Sequence, residues 1–113
     1  MTTSIRATIA GTLDRDPDIR YGRDGTATAT LAVHDAGTGE HREVIIRGGM
    51  AENVALTFAR GHRVIVTGDT ERTEWTAEDG RTMSRSEFLA TDVGASVQGA
   101  TLDIHPATVR VPA

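Results

Sequence analysis

The chain has 113 residues, which is the size of one domain built around a single hydrophobic core. Apolar residues make up 38% of the sequence and aromatic residues only 4%, so the core must consist mainly of Val, Ile, Leu and Ala. The length excludes a two-domain enzyme with an interdomain cleft. The absence of cysteine excludes disulfides, Cys-ligated zinc and thiol catalysis.

The charge of the sequence is more informative than its length and its apolar content. All 12 basic residues are arginine, and 16 acidic residues oppose them, for a net charge of −4. Arginine binds phosphate through two donors and stacks on bases, so this inventory is compatible with a nucleic-acid partner, although a GC-rich coding bias explains it equally well. No apolar run approaches the roughly 20 residues of a membrane span, and no signal segment opens the chain. We therefore expect a soluble intracellular protein with no membrane partner.

Short β-prone runs separated by turn residues make up the first part of the chain. A first strand ends at Gly11 to Leu13, and turn residues follow it from Asp16 onwards. Residues 26–33 (TATATLAV) and 41–47 (HREVIIR) then alternate in polarity, as half-buried strands do. This part of the sequence predicts three strands.

Residues 50–60 break this alternation and predict one short helix. Their apolar side chains recur at spacings of three and four, which places them on one helical face. Gly61 follows at the position that favours left-handed backbone geometry, and we expect it to end the helix. The apolar residues on this face are Met50, Ala51, Val54, Ala55 and Phe58.

The remaining sequence predicts a long hairpin and a short extension. Residues 62–75 form the outgoing strand, residues 76–81 a tip centred on Asp79 and Gly80, and residues 82–93 the returning strand. The order of three strands, one helix and two strands predicts an all-β OB-fold, a five-stranded Greek-key β-barrel closed at one end by the helix. The open face of this fold binds oligonucleotides. Two stretches near the end can add edge strands, residues 101–104 and 109–111.

The sequence resembles the bacterial-type single-stranded DNA-binding proteins over nearly its whole length. The opening match is Gly-x-Leu followed by Asp-Pro-x-x-Arg-Tyr, and the last match is similar to the ending of the actinobacterial branch. The order of the matches is the order found in the family. The matching segments are 11–21 (GTLDRDPDIRY), 25–33, 51–54 (AENV) with Arg60 and Gly61, 64–68 (VIVTG) with Trp75 and Gly80, and 93–97 (VGASV) with Ala100 and Thr101.

The resemblance implies a function and an assembly. It implies an OB-fold domain over residues 1–97, and in residues 98–113 an extra strand that clamps neighbouring subunits. It also implies a homotetramer, a dimer of dimers, that binds single-stranded DNA with little sequence preference during replication, recombination or repair. Such a protein protects the DNA and removes its secondary structure without catalysis and without a cofactor. We expect it in the cytoplasm at the nucleoid, or in the host cytoplasm if it is phage-encoded.

The candidate binding residues combine cations for phosphates with flat side chains for bases. Trp75 is predicted to be exposed, because it ends an alternating polar strand next to the hairpin tip. Tyr21, Phe58 and Phe88 are predicted to pack instead. The candidate DNA-binding residues are Trp75, Arg6, Arg23, His34, His41, Arg42, Arg47, Arg63, Arg72, Arg81 and Arg85.

Two departures from the family bear on this expectation. By the matched register, His34, His41 and Arg47 stand at positions where family members carry aromatic residues, which leaves Trp75 as one aromatic platform. The sequence also lacks the Gly/Pro/Gln-rich tail with an acidic tip that recruits other proteins, so tail-mediated partners are not expected. We therefore expect either a truncated form or a paralogous or phage-encoded version that does not recruit partners in this way.

Acidic residues on the predicted hairpin leave two further possibilities open. Four carboxylates there either weaken DNA binding or pair with Arg72, Arg81 and Arg85 across the hairpin. These carboxylates belong to Glu71, Glu74, Glu78 and Asp79.

Two other functions compete with DNA binding. The first is an oligomeric adaptor or replication-restart component that has kept the barrel and binds DNA weakly. The second is a metal-dependent nuclease or other enzyme that uses the side chains from His34 to His41. Their spacing matches no compact metal pattern, so no metal site is predicted.

Overall fold

The computed structural model describes residues 2–35 and 37–104. These residues form six strands and one helix. In chain order they are β1 (Thr2–Leu13), β2 (Asp18–Tyr21), β3 (Ala27–Asp35), β4 (His41–Arg47), α1 (Gly49–Thr57), β5 (Arg63–Thr76) and β6 (Thr82–Ala95). Within the described ranges, no helix has the length and apolar character needed to span a membrane.

The strands form one sheet that closes on itself. Their order is β1-β5-β6-β4-β3-β2, and β1 also pairs with β3, so that five strands make a ring. The β4–β6 pair is parallel and the other pairs are antiparallel. This is the predicted OB-fold barrel. The sixth strand, β2, was not predicted from the sequence because four residues, Asp18–Tyr21, are too few to show an alternating pattern.

Alternation along the strands builds the core. In β3 the residues at positions 27, 29, 31 and 33 are all buried, and the residues between them face outwards. Val44 and Ile46 of β4 continue this core, and Ala51 and Val54 of α1 close one end of it. Phe88 of β6 is buried as predicted. We refer to the sides of β1 and β3–β6 that point away from this core as the outer face.

The helix is shorter than predicted. It ends at Thr57, and Phe58 has extended backbone angles of φ −109° and ψ 152°. The next residues are tied to the β1 end of the barrel, because Asp16 accepts a hydrogen bond from the Arg60 N–H at 2.8 Å. Gly61 does have a positive φ of 91°, but it serves a turn in which the His62 N–H donates to the Ala59 carbonyl. The predicted helix end at residue 60 and its capping by Gly61 were therefore wrong.

Two glycines allow strands to pass closely. A Cβ atom at Gly68 would overlap the Leu89 carbonyl oxygen and lie 2.9 Å from the Ala90 Cα. The pairing of β5 with β6 shifts register between Thr67 and Gly68, as expected for a β-bulge. At Gly11 a Cβ atom would overlap the His34 carbonyl oxygen, at the place where β1 meets β3 and the ring closes. Both positions require glycine for backbone contact.

The predicted extension is described only in part. After β6, the Ser96 N–H donates to the Arg63 carbonyl at 3.0 Å, and residues 101–104 have no regular secondary structure. The segment 105–113, which includes the second predicted edge strand, lies outside the described residues. The division into a domain at 1–97 and a clamp at 98–113 stays a prediction.

Candidate nucleic-acid interface

Two exposed arms of the sheet meet where β4 and β6 run side by side. Ile45 of β4 pairs with Leu89 of β6 on the outer face. Because the two strands are parallel, His41 and Arg85 lie in the same direction from this pair, on β4 and on β6. The β3–β4 arm carries the histidines, and the β5–β6 arm is the long hairpin that carries Trp75.

The two predicted histidines form one flat surface on the β3–β4 arm. His34 and His41 are directly opposite in the strand register, and their rings stack with centroids 4.7 Å apart and planes at 26°. His41 Nδ1 lies 2.6 Å from Asp14 Oδ2, which fixes the orientation of the imidazole. The structure thus brings together two of the predicted binding residues, and their paired rings offer a flat surface on which a base can stack.

Trp75 lies on the outer side of the β5–β6 hairpin. It is 46% exposed, as predicted, and its cross-strand partner is Met83, which is 37% exposed. On the same side the hairpin has a shallow groove of about 310 Å³, which we call the Trp75 groove. Its lining residues are Glu71, Thr73, Trp75, Arg85 and Glu87. An aromatic ring at the end of a groove is a suitable place for a nucleic-acid base to stack.

The predicted arginines differ in whether a carboxylate already holds them. Arg6 lies across from Asp69 with their charged atoms 3.6 Å apart, and Arg85 contacts Glu87 at 2.6 Å. Arg23, in the turn between β2 and β3, and Arg47, at the end of β4, have no carboxylate partner among the described residues. Because exposed ion pairs contribute at most about 1 kcal/mol, a phosphate can compete for the paired arginines as well.

Two predicted arginines do not share the outer face. Arg42 is on the inward side of β4, where its Nη2 donates to Glu40 at 3.2 Å and its Nε is buried without a hydrogen-bond partner in the described part of the chain. Arg72 is on the side of the hairpin opposite Trp75, and its guanidinium lies 3.2 Å from Glu74. The structure therefore separates both from the Trp75 groove and from the histidine pair.

The two remaining candidate arginines lie at the margins of the candidate interface. Arg81 is at the hairpin tip and contacts Asp79 at 2.6 Å. Arg63 begins β5 and donates to the Gln98 side chain at 3.0 Å, while its Nε is buried without a partner among the residues described. Neither residue lines the Trp75 groove.

The hairpin carboxylates are partly neutralised, but not in the expected way. The arginines pair with acids two residues away in the chain, in the pairs Arg72–Glu74, Arg81–Asp79 and Arg85–Glu87. For these three arginines the expectation of pairing across the hairpin was wrong. Residues i and i+2 of a strand share a face, which brings Arg72 to Glu74 and Arg85 to Glu87, and Arg81 meets Asp79 within the hairpin tip.

Sequence reasoning missed two exposed side chains. Met83 lies opposite Trp75, a placement that depends on the hairpin register. Tyr21 was expected to pack, but it is 62% exposed, because β2 is an edge strand that pairs only with β3. Phe58 does pack against the core, as predicted.

The possible metal ligands between His34 and His41 are not gathered into a site. His41 turns towards Asp14 rather than towards Asp35 or Glu40. Across residues 2–35 and 37–104, no three His, Asp or Glu side chains are grouped as a metal site requires.

Comparison with known proteins assigns the chain to a family. The single-strand binding protein family matches residues 5–96. Single-stranded DNA-binding protein 1 of Xylella fastidiosa is 31% identical, with 82% of this chain and 77% of that protein aligned. The single-stranded DNA-binding protein of Mycobacterium tuberculosis is also 31% identical, over 96% of this chain and 74% of its own, and that of Mycolicibacterium smegmatis is 30% identical, over 96% and 73%. The family covers almost the entire barrel, from β1 to the end of β6, and the chain therefore belongs to the single-strand binding protein family.

Proposed function

We propose that this chain binds single-stranded DNA on the outer face of its barrel, with bases stacked on Trp75 and on the His34–His41 pair. Family membership supports single-stranded DNA as the ligand and binding without catalysis. The main support for placing the DNA on this face is Trp75, a large aromatic ring that is 46% exposed beside a groove. A buried role for this ring is inconsistent with its exposure.

The electrostatics of the outer face support attraction of phosphate at a few positions rather than along a broad basic surface. The net charge is −4, and most of the candidate arginines are already held by carboxylates. Arg47 is the outer-face candidate with neither an acidic partner nor a side-chain hydrogen bond in the described ranges, whereas Arg63 is held by Gln98, so Arg47 is free to bind phosphate. Binding that depends on stacking and on a few cations has a shallow dependence on salt.

Replacing Arg47 with glutamine is expected to weaken DNA binding at every salt concentration and to lower the slope of log affinity against log salt by about 0.7, the loss of one phosphate contact. Fluorescence anisotropy of a labelled oligonucleotide over a salt series measures both quantities. Arg20→Gln is the matched control, since Arg20 is on edge strand β2 and pairs with Asp18. An unchanged slope in the Arg47 variant, or an equal change in the Arg20 variant, would show that Arg47 makes no phosphate contact.

The test of the proposed function is competition between DNA forms. A labelled single-stranded oligonucleotide is bound at low salt, and unlabelled single strand or duplex of the same length is added. We expect the single strand to compete at far lower concentration than the duplex, because stacking on Trp75 needs an unpaired base. Equal competition by both forms contradicts the proposal. Failure to bind either form favours the alternative function of an adaptor barrel.

We further propose a homotetramer, built as a dimer of dimers, that acts on single-stranded DNA exposed during replication, recombination or repair in the cytoplasm, at the nucleoid. Assembly is supported by exposed apolar side chains such as Leu56 at 88% and Ile104 at 84%. It is also supported by β1, whose residues 2–10 pair with β5 along one edge and have no strand on the other edge among the described residues. Exposed strand edges favour association.

Light scattering on a size-exclusion column measures the assembly directly. We expect a mass near four times the 12.0 kDa of one chain. Removing residues 98–113 is expected to shift the population towards smaller species if this segment clamps subunits. A single-chain mass for the full protein contradicts the proposed assembly.

A further inference from the structure

We propose that the Trp75 groove distinguishes between bases, and that Glu71 selects those that carry an exocyclic amino group. The inference rests on the proposed function, because it concerns the nucleotide that stacks on Trp75. It goes further by assigning a base preference to a surface that we otherwise expect to bind DNA with little regard to sequence.

Two carboxylates face each other inside the groove. Glu71 of β5 and Glu87 of β6 are directly opposite in the strand register, both are half-buried, and both line the Trp75 groove. Like charges at directly opposite positions destabilise a sheet. This repulsion is unfavourable for folding unless a cation pairs with one of the two carboxylates.

The two carboxylates are not equivalent. Arg85 holds Glu87 at 2.6 Å, so this pair is neutralised and its geometry is fixed. Glu71 has no hydrogen-bond donor or cation within contact distance among the described residues. An ionised carboxylate has acceptor oxygens only, so Glu71 presents an unused acceptor to whatever enters the groove.

The spacing along the strand leaves room for a base between Trp75 and Glu71. Four residues of strand separate them, about 13 Å, and the residue of β5 on the same face between them is the short Thr73. Arg85 lies opposite Thr73 on β6, where its guanidinium is drawn towards Glu87. The groove volume of about 310 Å³ is at the lower end of the range for small-ligand sites. A base stacked on Trp75 in this groove can therefore present one edge to Glu71, which lines its other end.

The chemistry of that edge decides which base is preferred. A carboxylate repels phosphate and carbonyl oxygens, and it accepts hydrogen bonds from amino groups. Cytosine presents its N4 amino group where thymine presents the O4 carbonyl, and acidic side chains recognise cytosine through this amino group. We therefore expect the groove to favour cytosine over thymine.

The experiment compares oligonucleotides of equal length that contain only deoxycytidine or only deoxythymidine, at neutral pH, by fluorescence anisotropy. We expect the wild-type chain to bind the cytidine strand at least about fivefold more tightly. Glu71→Gln removes the charge and keeps the side-chain size, so this ratio is expected to fall towards one, mainly through tighter binding of the thymidine strand. Glu78→Gln is the matched control, because it removes the same charge from the exposed hairpin tip without lining the groove.

Three results are distinguishable. A ratio that falls in Glu71→Gln and persists in Glu78→Gln supports base selection. A wild-type ratio near one, or a ratio that Glu71→Gln leaves unchanged, overturns base selection while single-stranded DNA binding still holds. The absence of binding to either strand overturns the proposed function, and base selection with it.

Discussion

A variant in which Trp75 is replaced by alanine is expected to bind single-stranded DNA roughly 5- to 150-fold more weakly than the wild-type chain. The reason is the loss of base–aromatic stacking, which contributes about 1 to 3 kcal/mol per base. The loss is expected to be large because Trp75 is the single tryptophan of the sequence, and the other proposed stacking surface consists of the smaller rings of His34 and His41. Anisotropy of a labelled oligonucleotide measures the effect without relying on the ring that is removed.

Two further variants separate stacking from other effects of this substitution. Trp75→Phe keeps an aromatic face and is expected to retain most of the affinity. Tyr21→Ala removes an even more exposed ring from edge strand β2, which is not part of the outer face, and is expected to leave the affinity nearly unchanged. If Trp75→Ala binds as tightly as the wild type, or if Tyr21→Ala is the more damaging change, bases do not stack at Trp75.

The largest expected effect on stability comes from Gly68. Replacing it with alanine is expected to lower the free energy of unfolding by about 3 kcal/mol or more, because the new Cβ overlaps the Leu89 carbonyl oxygen and the backbone of β6 must move. This is a large part of the 5 to 15 kcal/mol that typically stabilises a domain. Urea unfolding followed by circular dichroism measures the change.

Gly94 provides the control for this prediction. It is also a strand glycine, in β6, but a Cβ atom added there meets nothing within 4 Å. We expect Gly94→Ala to change the free energy of unfolding by no more than about 0.5 kcal/mol. Equal effects of the two substitutions would show that the loss of stability at Gly68 does not come from overlap with the backbone of β6.

The barrel could be predicted because residues that face the core alternate with residues that face outwards along each strand. Residues 26–33 alternate small or polar with apolar residues, and the structure buries the alternate set. The end of the helix was not predictable in the same way. It ends at Thr57 because the following backbone is bound to Asp16 and Leu13, which lie more than 40 residues earlier in the chain.

The hairpin shows why the site was harder to predict than the fold. Asp79 and Gly80 mark the tip, but the loop contains three residues, with the Ala77 N–H donating to the Arg81 carbonyl and Gly80 at φ 85°. If the loop contained only Asp79 and Gly80, the register would shift by one residue, and Trp75 would pair with Ser84 instead of Met83. The sequence therefore indicates an exposed Trp75, whereas only the register shows which residues share its face.

The ion pairs follow a simple spacing in the sequence. Five pairs join residues two apart, among them Arg20–Asp18, Arg42–Glu40 and Arg85–Glu87. Residues at this spacing share a face of a strand, so an Arg–x–Glu pattern in a predicted strand indicates a neutralised arginine. This pattern explains how a domain with net charge −4 can leave only a few arginines for phosphate.

The most direct test of the account is a titration of the wild-type chain with an unstructured single-stranded oligonucleotide, read by the fluorescence of Trp75. Because the sequence contains one tryptophan, the signal reports on this position alone. We predict saturable quenching at low salt that weakens as salt is added. Unchanged fluorescence while anisotropy of the labelled oligonucleotide shows binding would place the DNA elsewhere on the protein and contradict the account.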